Sequence, residues 1–151
     1  MCTLLGRRAH IRARWEELLR AARVNTPLAN PDMLVHLLDS TLDEILHLLR
    51  DPHLRHRTIR TTGLHAGRAN CECGRNPLLA YFLAGEQALL EALVLAQATP
   101  PVPDPVTRDS AVAELYQVVR GISQREVEAF CSVCQHRLQA PVHAGHHPMM
   151  H

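Results

Sequence analysis

Chemistry in this chain starts with sulfur. Cys71-Glu72-Cys73 places two thiols around a single residue, and Cys131-Ser132-Val133-Cys134 places two more three positions apart. A deprotonated thiol is a soft ligand. Two thiolate pairs converging on one ion make the closed, four-coordinate sphere of a structural zinc. Cys131 and Cys134 share one face if their segment is helical. Gly74, directly after Cys73, lets the backbone turn beneath the sulfur. The Cys71–Cys73 spacing is tighter than the usual zinc pair, so His65 and His136 are alternative third or fourth ligands. An iron–sulfur cluster is the alternative cofactor, because its ligand sets are also thiolate. Gln135 between Cys134 and His136 makes that stretch one residue too long for covalent haem attachment. Cys2 reads as an exposed thiol without a role.

A second constellation lies on a candidate helix. His36, Asp39, Asp43 and His47 form a stripe, and Glu44 with His47 makes Glu-x-x-His. Di-iron bundles use that motif twice with two further glutamates, and no second copy is present here. The favoured reading is the solvent edge of an amphipathic helix. The stripe becomes a second metal or ligand site, and the chain a ligand-binding protein or metal-dependent enzyme, only if it faces inward. Arg55, Arg57, Arg60, Arg68 and Arg75 could meet phosphate or an acidic partner. They lack the interleaved aromatics of a base-stacking surface. There is no phosphate-binding glycine loop, no Gly-x-Ser-x-Gly and no His-Glu-x-x-His, so no enzyme class is indicated.

Composition sets the frame that must position these groups. At 151 residues the chain has the length of one domain with its own core. Apolar residues make up 46% and aromatics only 3%, which suits packed helices rather than a sandwich. The net charge of +1 argues against a nucleic-acid coat. The opening residues carry too short an apolar run for a signal peptide, and no stretch is expected to serve as a membrane span of ~20 apolar residues. The expectation is a cytoplasmic protein whose thiols stay reduced, where an odd number of cysteines favours metal over disulfides.

The periodicity predicts four helices. Helix one covers residues 7–24, with Ile11, Trp15, Leu18, Leu19 and Ala22 inward. Helix two opens on Asn30-Pro31-Asp32, which supply a cap, a first-turn proline and an acid, and runs to Arg50. Its apolar face is Leu34, Leu37, Leu38, Leu42, Ile45, Leu46 and Leu49. A long connection follows. Helix three runs from Pro77 to Ala98, capped by Asn76, with Leu78, Leu79, Phe82, Leu89, Leu90, Leu93 and Val94 as core. Ala84, Gly85 and Ala88 leave room for a neighbour. Helix four begins between Thr107 and Asp109, breaks or kinks at Gly121, and restarts on Ser123-Gln-Arg-Glu126 as a capping box.

A proline-rich turn joins helices three and four, so they should run antiparallel. At ~1.5 Å per residue, the second thiol pair returns to the level of the first. The expected fold is therefore all-α: an antiparallel four-helix bundle over residues 1–138, with a long loop between helices two and three and a disordered histidine-rich tail over residues 139–151. The expected function is a small helical module with a structural zinc held by Cys71, Cys73, Cys131 and Cys134. A closed sphere leaves no place for substrate water, so a regulatory or protein-interaction role is favoured over an enzyme. The alternative is a thiol-based redox or metal sensor. The partner expected is a protein, neither nucleic acid nor membrane, and a homodimer stays open.

Overall fold

The computed structural model describes residues 2–24, 26–51, 53–54, 71 and 74–134. Among them there are helices and turns and no strand, so the fold is all-α. The helices are α1 (Cys2–Leu5), α2 (Arg8–Ala21), α3 (Pro31–Leu34), α4 (Leu38–Arg50), α5 (Pro77–Gln97) and α6 (Pro105–Ser132). α2 packs on α5, α5 on α6, α6 on α4 and α4 on α2.

Local chemistry sets the helix starts. The Asn30 side chain accepts from the Asp32 N–H, Asn76 from Leu78 and Asp104 from Thr107, and a proline follows each cap. α6 starts at Pro105, ahead of the expected Thr107, because Asp104 is its cap. α1 was not expected; it brings Leu4 into the core at 1% exposure. Helix two is not continuous. A 3-10 turn over Val35–Leu37 separates α3 from α4. Three residues per turn shift the register, so Leu37 is 41% exposed while Leu38 is fully buried.

Gly121 does not break α6 into two helices. The helix runs unbroken for 28 residues. Val118, Val119, Ile122 and Val127 are buried on both sides of the glycine, and this packing outweighs its weak helix propensity.

α5 differs most from expectation. Its buried residues include Tyr81, Ala84, Gly85, Ala88, Ala92 and Ala96, whereas Val94 is 58% exposed. The indole of Trp15 lies directly on Gly85, where a β-carbon would overlap its ring atoms. Trp15 also donates from Nε1 to the Tyr81 carbonyl at 2.9 Å. One large ring on α2 therefore requires the small-residue face of α5 to turn inward, which sends some larger side chains outward. Apolar on every side, α5 has the length and hydropathy of a membrane span, contrary to the expectation that no stretch would. The same helix forms the centre of the core.

Arginines tie the helices together at the rim. Arg14 pairs with Glu91 of α5 at 2.7 Å, and Arg125 of α6 grips Glu44 of α4 with two bonds of 2.9 and 3.0 Å. Such bidentate pairs add geometric definition more than energy at this exposure. Arg8 and Arg12 of α2 reach Asp39 and Asp43 of α4 at 2.7–3.1 Å. Arg12 and Arg8 hold the Asp39 carboxyl below its usual pKa, and Arg8 does the same for Asp43. A carboxyl whose folded pKa lies below its unfolded value stabilises the fold above the unfolded pKa and loses that contribution as pH falls. Stability should therefore drop as the solution is acidified below about pH 4. The drop should be smaller in Arg8→Gln and smaller in high salt; urea midpoints measured against pH check both.

Candidate metal centre at the start of α5

Cys71 and Cys131 are positioned by the entry to α5. Gly74 sits at φ +64°, a left-handed turn suited to glycine, and its N–H donates to the Cys71 carbonyl at 2.9 Å. This turn folds the Cys71 segment back beside the helix start. Asn76, only 4% exposed, then serves two ends at once. Its Oδ1 caps α5 through Leu78 N–H at 2.9 Å. Its Nδ2 donates to the Val127 carbonyl at 3.2 Å and to the Cys131 sulfur at 3.4 Å. The first turn of α5 is thereby fastened to the last turns of α6. At the opposite end Gln97 donates to the Arg108 carbonyl at 3.3 Å, so the two helices run in opposite directions.

This arrangement brings Cys71 against Cys131 across a large gap in sequence. Cys71 is buried at 8% exposure, and the Cys71, Cys131 and Cys134 thiols form no disulfide. Burial pushes the Cys131 pKa up, the Asn76 amide lowers it, and the neighbouring Cys71 and then Cys134 raise it further. α6 ends at Ser132, so Cys134 stands just past the helix rather than on its face. Its N–H still reaches back to the Cys131 carbonyl at 3.3 Å, keeping the two close. Among the described residues, no three His, Cys, Asp or Glu side chains surround a common point closely enough to hold an ion as they stand. Cys73, His65 and His136 lie outside the described residues, as does the segment over residues 139–151.

Asn76 was expected only as a helix cap, and its link to Cys131 had no signal in the sequence. Asn76→Ala removes the cap, worth about 1 kcal/mol, and two further bonds to α6. The expected loss is about 2–3 kcal/mol, measured by urea unfolding, against about 1 kcal/mol for Asp104→Ala, which removes a cap alone.

The stripe on α4 is placed quite differently. His36, Asp39, Asp43 and His47 are all exposed, and both carboxylates are engaged by Arg8 or Arg12. Arg75, the described member of the basic series, is exposed. A recess between α4, α5 and α6, lined by Ser40, Thr41, Glu44, Tyr81 and Glu126 among others, includes none of His36, Asp39, Asp43 and His47. The buried Tyr81 hydroxyl makes no well-formed hydrogen bond, although Thr41 lies beside it, and burial pushes its pKa up to about 12.

Comparison of the chain with family models, curated proteins and solved structures gives no match.

Proposed function

We propose that the chain is a small helical zinc-binding module in which the metal is structural and the role is regulatory or protein-binding. In this reading the helices form an antiparallel four-helix bundle. The circuit of contacts α2–α5–α6–α4 and the opposed runs of α5 and α6 support it. Cys71, Cys131 and Cys134 are three of the ligands, and Cys73, two residues from Cys71, is the fourth. One observation carries the proposal. A buried thiol ahead of α5 abuts a thiol at the end of α6, and a polar staple through Asn76 holds the two segments together. Zinc would replace the protons of these thiols and fasten the free end of the long connection to the bundle.

A thiol-based sensor draws less support. A peroxide-reactive cysteine needs a lowered pKa, and burial moves Cys131 the other way. The exposed, arginine-bound stripe on α4 gives little support to an enzyme. The test is elemental analysis of the full chain in a thiol-protecting buffer, beside Cys71→Ser and Cys131→Ser. About one zinc per chain in the wild type, lost in both variants, is the expected result. Zinc retained in both variants would place the metal elsewhere and end the proposal.

A further inference from the structure

The outward side of α5 carries a second apolar stripe. Leu79, Leu83 and Val94 recur at helical spacing, and Leu83 and Val94 are 52% and 58% exposed. A shallow groove runs between this stripe and α6. Glu86 stands on its α5 wall and Arg120 on its α6 wall, among Leu79, Leu83 and Val119. The Arg120 guanidinium stacks on the Tyr116 ring at 4.9 Å, and its Nε is buried without a hydrogen-bond partner. Among the described residues, no ion pair joins either Glu86 or Arg120 to another side chain. By contrast Arg8, Arg12, Arg14, Arg20 and Arg125 all have carboxylate partners. An acid and a base held apart on one apolar groove, each lacking a counter-charge, form a self-complementary surface.

The helix register says how such a surface would close. Asn76 lies level with Val127 and Cys131, and Gln97 with Arg108. Glu86 is therefore level with Arg120 on the antiparallel neighbour. A two-fold axis parallel to the helix pair lays α5 of one copy over α6 of the other, running in opposite directions. That rotation keeps the level along the axis unchanged. It brings each Glu86 over the partner's Arg120 and each Leu83 stripe over the opposite groove, the reciprocal pattern of an isologous contact. An axis perpendicular to the helices would instead set α5 on α5 and leave both charge types facing their own kind.

We propose that this face joins two copies of the chain, with Glu86 and Arg120 paired twice across the axis and the Leu83–Val94 stripe buried between them. The proposal does not depend on the thiol cluster or on metal. Sedimentation equilibrium of the full chain tests it. The wild type should be a dimer. Glu86→Arg and Arg120→Glu should each weaken association at least about tenfold, the scale of a desolvated interfacial charge pair. The double reversal E86R/R120E should restore most of that loss. Leu83→Asp, at an exposed position, should give a monomer with unchanged helical circular dichroism. A wild type that stays monomeric at high concentration would overturn the proposal. So would single reversals that dimerise as the wild type does, or a monomer whose apolar face instead binds phosphatidylcholine vesicles in flotation.

Discussion

Gly85→Ala should destabilise the protein by about 2 kcal/mol or more, although alanine in an ordinary helix site gains about 1 kcal/mol over glycine. The reason is that the new methyl group would occupy space held by the Trp15 indole, whose neighbours on α5 are already close-packed. Relief requires α2 to move away from α5, which also stretches the 2.9 Å bond from Trp15 to the Tyr81 carbonyl. Trp15→Leu should itself cost about 3 kcal/mol, by analogy with large-to-small core changes. In that background the sign should invert, with Gly85→Ala neutral or stabilising because the ring is gone and only helix propensity remains. A double-mutant cycle measured in urea reads the inversion directly. If Gly85→Ala is equally harmful with and without Trp15, the close approach of the indole to Gly85 is not what limits the site.

The second large effect concerns metal. If zinc closes the cluster, folding and binding are linked, and free zinc at a thousand times its dissociation constant adds about 4 kcal/mol to stability. At about 2–4 °C per kcal/mol for a chain of this size, the metal-free protein should melt roughly 10 °C lower. Calorimetry before and after chelation, then after return of zinc, checks this. Cys131→Ser should match the chelated wild type and be insensitive to chelator. Because burial raises the Cys131 pKa, the thiol must give up its proton for zinc, so binding should release protons and weaken as pH falls.

Much of the helical order could be read from particular residues. Asn30, Asn76 and the proline after each mark starts that need no tertiary information, since cap and ring geometry act locally. The return of Cys131 to the level of Asn76 also followed from local facts: two helices joined by a short stiff turn and a common rise per residue. What could not be read was the outcome of competition between surfaces. α5 has apolar residues on every side, so its own periodicity does not say which face is inside; the ring of Trp15, far away in sequence, decides for the glycine–alanine face. Gly121 looked like a break because its propensity is poor, and the packing around it outweighed that propensity. The α4 stripe had the residue types of a metal site. Its carboxylates instead face the arginines of α2, a pairing invisible until the two helices are side by side. The double role of Asn76 was equally hidden, because half of its bonds go to α6.

X-ray absorption at the zinc edge of the purified full chain most directly tests the sulfur clamp. The expected first shell is four sulfurs at about 2.3 Å, with nitrogen and oxygen absent. A shell of nitrogen and oxygen at about 2.0–2.1 Å, or a protein that holds no zinc at all, would contradict it.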